Sequence, residues 1–233
     1  MTATVAPADF FAGYISTYLE RDVRFELGVR KVGEFSTFLT LCATRTAELL
    51  SYDGLARDCG VSVDTVRGWL SLLQQSFVVF LLRPYHRNYG KRLVKSPKLY
   101  FYDTGLAASL LGVESPEQIL AGGRRGALYE NCVVSEVVKG YCARGRKPGL
   151  FYWRDSAKNE IDLVVEKGGK PARLVEVKAS ATYKPKMFST LDKLGDAMEV
   201  GADGRFVVYG GDESFETAHG SVIGLPDVEG LVC

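Results

Sequence analysis

Apolar residues in the first fifty positions recur with the 3.6-residue period of amphipathic helices. This spacing predicts one helix from Asp9 to Arg24 and a second from Glu34 to Leu50. The N-terminal part of the chain is therefore expected to be helical.

Residues 51–75 have the composition of a helix-turn-helix unit. A short helix is predicted from Gly54 to Cys59, and Gly60 can adopt the left-handed conformation that ends it. Ser62 can cap a longer second helix, and Asp64 is favoured at its positive N-terminal end. The helical period turns one set of residues inward, namely Val66, Trp69, Leu70 and Leu73, and another outward, namely Thr65, Arg67 and Gly68.

Two strands are predicted after this unit, Phe77–Leu82 and Lys98–Tyr102, and would form the wing of a winged helix. A short helix follows over Asp103–Gly112, with Asp103 as its cap. The polar, glycine-rich stretch Glu114–Arg125 is then typical of a linker.

The pattern changes after this linker to alternating helices and strands. The predicted elements are a helix over Gly126–Arg144, strands near Leu150–Arg154, Glu160–Glu166 and Ala172–Lys178, a helix over Pro185–Glu199 and a strand over Arg205–Tyr209. The expected fold class is therefore α+β, with a helical winged-helix domain followed by an αβββαβ domain. The whole chain is expected to comprise an N-terminal helical segment (1–33), the winged helix-turn-helix domain (34–113), the linker (114–125) and the α/β domain (126–233).

Composition is that of a folded chain, with 46% apolar and 24% charged side chains among 233 residues. No apolar stretch approaches the ~20 residues of a membrane-spanning helix. The five cysteines are an odd number without metal-finger spacing, which favours a reducing compartment. We expect a cytoplasmic protein with no membrane partner.

The net charge of +1 does not by itself indicate a nucleic-acid binder. Between Leu81 and Phe101, however, there are six basic residues and no acidic one. This stretch could face phosphate, or it could be a solvated loop. The candidate nucleic-acid contacts are Thr65, Arg67, Arg87, Lys91, Arg92 and Lys95.

Candidate chemistry is concentrated on the predicted second and third strands of the α/β domain. Asp162 lies among apolar neighbours, where an unpaired charge is costly. Glu176 and Lys178 are two residues apart on a strand, so their side chains emerge on the same face. If Asp162 faces the same way, two carboxylates and one ammonium converge.

Such a group can hold Mg²⁺, or Mn²⁺ in its place, for phosphodiester hydrolysis, with the lysine beside the metal orienting or deprotonating a water. The preceding helix offers Glu130 or Glu136 as a further ligand, and we prefer Glu130 because it lies in the first turns. The simpler interpretation is a salt bridge between Glu176 and Lys178, with Asp162 capping a turn.

These residues, Glu130, Asp162 and the Glu176-x-Lys178 pair, resemble the PD-(D/E)xK nuclease superfamily. More specifically, the chain resembles the C-terminal region of bacterial and archaeal AAA-type ATPases, a domain of unknown function. The matching stretches are YISTYLERDVR, LARDCGVSVDTVRGWLSLL, KRLVKSPKLYFYDTGLAASLLG, GALYENCVVSEVVK, YWRDSAKNEIDLVVE and LVEVKAS. Those ATPases carry a P-loop domain before the first stretch, whereas this chain has no GxxxxGK[ST] segment.

The resemblance implies a restriction-endonuclease-like α/β domain and no ATPase activity from this chain. The leading hypothesis is a DNA-associated module in which the winged helix docks on duplex and the α/β domain hydrolyses phosphodiesters. Asp162, Glu176 and Glu130 would hold Mg²⁺ or Mn²⁺, and Lys178 would activate the nucleophile. The alternative is a non-catalytic regulatory module whose partner is the ATPase domain of the longer relatives.

Overall fold

The computed structural model describes residues 7–19, 32–86 and 96–233. They form two compact units. The first holds the described residues up to Leu81 together with Leu99–Leu128, and the second holds those of Leu82–Lys98 together with Tyr129–Cys233. The chain thus passes between the units three times, whereas the sequence-based boundaries assigned 34–113 to one domain and 126–233 to the other.

The first unit is mainly helical. Its helices are α1 (Pro7–Tyr14), α2 (Val32–Thr44), α3 (Tyr52–Cys59), α4 (Val63–Gln75), α5 (Thr104–Leu110) and α6 (Pro116–Ala121). After α1 the backbone continues as a π-helical turn, Ile15–Leu19. The hydroxyl groups of Ser16 and Thr17 both donate to the carbonyl of Gly13, which favours a change of pitch here. The rest of the predicted Asp9–Arg24 helix lies outside the described residues.

Helix α2 ends at Thr44, so the prediction that it continues to Leu50 is wrong. Ala47 has a φ of 62°, a left-handed conformation that cannot continue an α-helix. Its N–H donates to the carbonyl of Leu99 at 2.8 Å, and the N–H of Leu99 donates to the carbonyl of Glu48 at 3.1 Å. Hydrogen bonds to an extended segment therefore replace the last helical turn.

The predicted helix-turn-helix elements are present in α3 and α4. Gly60 ends α3 with a φ of 69°, and the side chain of Ser62 accepts a hydrogen bond from the N–H of Thr65 at 3.1 Å. The residues predicted to point inward from α4, Val66, Trp69, Leu70 and Leu73, are all buried. The Trp69 ring packs on Phe35 and Phe38 of α2, with ring centroids 5.4 and 5.3 Å away. These caps and aromatic contacts fix the first unit around a single apolar core.

The predicted linker, residues 114–125, contains helix α6 and is therefore not an extended connection. Pro116 lies in its first turn, where a missing N–H costs nothing. Ile119 packs against the core of the first unit. One proline and one apolar anchor thus order a stretch whose overall composition is polar. The cap predicted nearby at Asp103 is confirmed, since its side chain accepts from the N–H of Leu106 at 3.0 Å.

Strands β1 (Val79–Pro84) and β2 (Lys98–Phe101) cover most of the segments expected to form the wing. Both strands are divided between the two units, β1 after Leu81 and β2 after Lys98. In the second unit, Arg83 and Pro84 of β1 pair in parallel with Phe151 and Tyr152. Strands β1 and β2 are also neighbours in the strand order, as the predicted pair of wing strands requires.

The second unit contains the predicted αβββαβ order. Its elements are α7 (Arg125–Ala143, from Tyr129 onward), β3 (Leu150–Arg154), β4 (Glu160–Lys167), β5 (Lys170–Lys178), α8 (Ser189–Gly195) and β6 (Arg205–Tyr209). Strands β3, β4 and β5 are antiparallel neighbours, and β6 joins β5 in parallel. The order places β4 and β5 in the middle of the sheet, with neighbouring strands on both sides.

The chain then adds elements that the sequence analysis did not predict. They are β7 (Phe215–Thr217), β8 (Gly220–Ile223) and a 3₁₀ helix over Leu225–Leu231. The predicted Pro185–Glu199 helix is α-helical only in α8 and is flanked by 3₁₀ turns, and Glu199 has a φ of 61°. Residues of α8 and the preceding turn pack on β4, β5 and β6 in the apolar core of this unit, which includes Val164, Leu174, Phe188, Leu191 and Val207.

Ser62→Ala removes the N-cap of α4, and we expect the free energy of unfolding to fall by about 1 kcal/mol. Ser71→Ala is the control, because Ser71 is exposed within the same helix and its hydroxyl accepts only an exposed side-chain bond from Gln75, with no capping role. Urea denaturation followed by circular dichroism measures both variants. Equal losses in the two variants would contradict the capping role.

Candidate functional site

The pairing of β4 with β5 sets the position of the two predicted acidic residues. Leu163 lies opposite Val175 and Val164 opposite Leu174 in this antiparallel pair. Asp162 and Glu176 come next beyond this pairing, and the Asp162 carboxylate reaches the backbone of β5 and raises the pKa of Glu176, so the two acidic groups lie close together. The structure therefore brings the two predicted acids together at this point of the sheet.

Asp162 is almost fully enclosed, with 9% of its surface exposed. Its Oδ2 accepts a hydrogen bond from the N–H of Val177 at 2.8 Å. Burial raises the pKa of this carboxyl group, while Lys98, the Val177 N–H and Lys178 oppose the rise. Asp162 is thus held by the backbone of β5 and is not a turn cap.

Glu176 is equally buried and pairs with the neighbouring ammonium. Its Oε1 accepts a hydrogen bond from Lys178 Nζ, while its Oε2 is buried with no hydrogen-bond partner. Burial and, second, the nearby charge of Asp162 raise the pKa of Glu176 to about 7, against the opposing effect of Lys178. Glu176 therefore presents one buried oxygen that nothing in the described residues satisfies.

Lys178 is the most accessible member of the cluster, with 42% of its side chain exposed. Partial burial lowers its pKa, but the carboxylates of Glu176 and Asp162 outweigh this and raise it. Its ammonium is therefore retained at neutral pH and can act as a hydrogen-bond donor.

A second lysine, Lys98, also belongs to the cluster. Its side chain is 2% exposed, and Nζ lies 2.9 Å from Glu130 Oε1 and 2.5 Å from Glu160 Oε1. Burial lowers its pKa, but Glu130, Asp162 and Glu160 outweigh that effect and raise it. The buried side chain is thus a permanent cation with two carboxylate partners.

Glu160 lies two residues before Asp162 on β4, and the charges of both residues act on Lys98. Besides Lys98, it has Arg154 as a partner, whose guanidinium nitrogen lies 3.3 Å from Glu160 Oε2. The site therefore contains four carboxylates, those of Glu130, Glu160, Asp162 and Glu176. Lys98, Lys178 and Arg154 pair with the three glutamates, and the Val177 N–H holds Asp162.

The two helix candidates of the sequence analysis have different environments. Glu130, in the part of α7 that belongs to the second unit, bonds Lys98 and contributes to the pKa shifts of Glu176 and Lys178. Glu136 is exposed and bonds Lys139 one turn along the helix. Of the two, Glu130 is the one that lies in the cluster, where it bonds the Lys98 ammonium; its role as a metal ligand stays a prediction.

Sequence reasoning did not assign Lys98 and Glu160 to this site. Lys98 was counted only among the basic residues that could face phosphate. The signal that identified Asp162, a charge followed by apolar residues, is also present in Lys98-Leu99-Tyr100-Phe101. Glu160 could have been found from its spacing, because it is two residues from Asp162.

A site built from protein ligands alone is absent from the described part of the chain, where no three His, Cys, Asp or Glu residues are grouped to hold a metal ion. Mg²⁺ commonly binds proteins through only one or two carboxylates, with waters and substrate phosphates as the other ligands. Asp162 and Glu176 could supply these two.

No described helix is both long and apolar enough to span a bilayer.

The predicted nucleic-acid contacts divide into two groups. Thr65 and Arg67 lie on the outer side of α4, where Thr65 Oγ1 is 2.8 Å from Ser62 Oγ and the Arg67 guanidinium carbon is 4.4 Å from the Tyr52 ring centroid. Arg67 is exposed, but Asp64 on the same surface balances its charge. The other four residues, Arg87, Lys91, Arg92 and Lys95, lie outside the described residues.

The raised pKa of Glu176 predicts a pH-dependent stability. Because the folded state holds this proton more tightly than the unfolded chain, wild-type stability falls as pH rises from the unfolded pKa near 4.5 to the folded value of about 7. The expected loss attributable to Glu176 is about 2 kcal/mol between pH 5 and pH 7. Glu176→Gln should lack this component, as measured by urea denaturation across that range. Parallel profiles for wild type and variant would contradict the prediction.

Comparison with known proteins adds two family matches and two relatives. Residues 125–228 match the Domain of unknown function (DUF4143), a domain associated with AAA-type ATPases. Uncharacterized proteins of Mycobacterium bovis and Mycobacterium tuberculosis are each 36% identical over 171 residues, which is 73% of this chain and 37% of each relative. The chain thus corresponds to little more than a third of their length.

No solved structure matches this chain. The second family match, to the Domain of unknown function (DUF8612), spans residues 1–117 and so covers half of the sequence. On that match, the chain belongs to the DUF8612 family.

Proposed function

We propose that the second unit is a metal-dependent phosphodiesterase centre of the PD-(D/E)xK type that acts on DNA. The observation that carries this proposal is the proximity of Asp162 and Glu176 on the neighbouring strands β4 and β5, with Lys178 bonded to Glu176. The protein would act in the cytoplasm. In proteins with an AAA-type ATPase domain, this centre would act as an associated module.

A divalent cation fits the donor set at one position. Asp162 and Glu176 supply hard carboxylate oxygens from neighbouring central strands. The buried Oε2 of Glu176 has no hydrogen-bond partner, and a cation bound there would satisfy it. Such a cation would also stabilise the ionised form of Glu176, whose pKa is raised by burial and by Asp162.

Bound Mg²⁺ or Mn²⁺ would supply charge stabilisation on the phosphate and lower the pKa of a coordinated water. The protein would contribute the rest of the chemistry. Lys178, partly exposed and protonated, would donate a hydrogen bond to the attacking water or to a phosphate oxygen. The raised pKa of Lys178 supports this donor role over that of a general base.

Glu130 would act indirectly, by holding Lys98, or through a bridging water as the sequence analysis suggested. The N–H of Val177 would orient Asp162 through its hydrogen bond to Oδ2. The proposed catalytic group is therefore Asp162, Glu176 and Lys178, supported by Glu130.

One observation favours a second candidate, a non-catalytic module that regulates an AAA-type ATPase. The carboxylates of the cluster already pair with Lys98, Lys178 and Arg154. The negative charge of the cluster is therefore largely neutralised without a metal. The same fold would then serve as a stable scaffold for the ATPase partner. The two candidates differ in whether the site binds Mn²⁺.

Calorimetric titration with Mn²⁺ separates these candidates. The catalytic proposal predicts binding by the wild type and loss of that binding in Asp162→Asn, because the variant lacks one of the two ligand carboxylates. Glu136→Gln is the matched control, since it removes an exposed glutamate of α7 that lies outside the cluster. A folded wild-type protein that binds no Mn²⁺ would favour the regulatory module.

Plasmid cleavage tests the reaction itself. Wild-type protein should nick supercoiled plasmid in the presence of Mg²⁺ or Mn²⁺, and Lys178→Ala should lower the rate by about 100-fold or more because a charged donor is lost. Glu136→Gln should cleave at the wild-type rate. Cleavage at equal rates by wild type and Lys178→Ala would refute the assignment of Lys178.

DNA docking by α4 is a separate proposal, and Arg67→Ala tests it. If the exposed guanidinium contacts a phosphate, the variant should bind duplex DNA more weakly. The slope of log K against log salt concentration should then become shallower by about one, the contribution of one phosphate contact. Lys147→Ala removes the same charge from an exposed position outside α4 and is the control. Fluorescence anisotropy over a range of salt concentrations measures both. Identical slopes for all three proteins would exclude a phosphate contact at Arg67.

A further inference from the structure

The carboxylates of the cluster fall into two pairs with different partners. Glu130 and Glu160 are both bonded to Lys98 Nζ. Asp162 and Glu176 lie near each other on β4 and β5, and the buried Oε2 of Glu176 remains unsatisfied. The two pairs are close enough for Lys98 to influence Asp162 electrostatically.

Lys98 is fixed at its position from several sides. Besides its two carboxylate bonds, its Nζ lies 5.8 Å from the centroid of the Tyr152 ring. The hydroxyl of Tyr152 donates to the carbonyl of Ser96 at 2.5 Å, which anchors the chain just before Lys98. With 2% exposure, the ammonium cannot leave the cluster without uncovering buried charge.

We propose that Lys98 is a resident cation of this site, occupying the position where Glu130 and Glu160 would otherwise attract a second divalent ion. The inference rests on the proposed function, since it concerns the metal content of the same site. A single ion is then held by Asp162 and Glu176. Lys98 is a positioning residue, because it acts through Glu130 and Glu160.

Charge explains why an ammonium excludes a second ion here. A divalent ion between Glu130 and Glu160 would need the oxygens that Lys98 Nζ now contacts at 2.9 and 2.5 Å. It would also face the positive charge of Lys98 at close range in a poorly hydrated site, where repulsion is strong. Replacing Lys98 by a neutral side chain removes the repulsion and frees both carboxylates.

The test is the number of Mn²⁺ ions bound per chain, measured by calorimetry and by electron paramagnetic resonance of the uncut 233-residue chain. Wild type should bind one ion and give the spectrum of an isolated Mn²⁺. Lys98→Met should bind two ions, whose spectrum is broadened by their mutual coupling. Lys98→Arg keeps the cation and should still bind one ion. Glu160→Gln, introduced into Lys98→Met, should restore a stoichiometry of one.

The outcomes separate the two proposals. Two coupled ions in the wild type, or a single ion in a folded Lys98→Met, would overturn the role of Lys98 and leave the metal-dependent centre intact. No ion in the wild type would overturn the proposed function and this inference together. Circular dichroism checks the folding of each variant. If Lys98→Met does not fold, the stoichiometry and spectrum of the wild type decide.

Discussion

Four carboxylates in one place, two of them buried and two half-buried, set the conditions that the rest of the second unit must satisfy. Removing a charge from water is costly, and several like charges together cannot be tolerated without partners. The chain supplies Lys98, Lys178 and Arg154, together with the N–H of Val177. The compensation is incomplete at Glu176, where one oxygen has no partner and the pKa is raised to about 7. That incomplete compensation makes this cluster a candidate site and distinguishes it from an ordinary buried ion-pair network.

The sheet supplies the rigidity that such a site requires. Strands β4 and β5 have neighbours on both sides, and their apolar residues Val164 and Leu174 lie in the core beneath α8. A shift of one residue in their register would turn Asp162 away from Glu176 and expose the apolar side chains. The same packing that stabilises the unit therefore keeps the carboxylates of Asp162 and Glu176 next to each other.

The sequence predicted the elements whose signals are local. The caps at Ser62 and Asp103 and the strands around Asp162 and Glu176 follow from residue type and spacing, and the structure contains them. The failures involve long-range contacts. Helix α2 stops early because residues 47 and 48 bond Leu99, and the predicted linker is helical because Ile119 reaches an apolar core. The partners of Lys98 were not predicted for the same reason, since Glu130 and Glu160 are far from it in the sequence.

The interleaving of the two units along the chain has a practical consequence for dissecting the protein. A fragment starting at residue 126, the boundary suggested by composition, would retain Glu130, Glu160, Asp162 and Glu176 but lack Lys98. It would also lack Arg83 and Pro84, the β1 residues that pair with β3. This fragment would contain the four carboxylates without the buried ammonium of Lys98. It would also expose the edge of β3 that β1 covers. Inactivity or insolubility of such a fragment would therefore reflect the cut rather than the capacity of the intact chain.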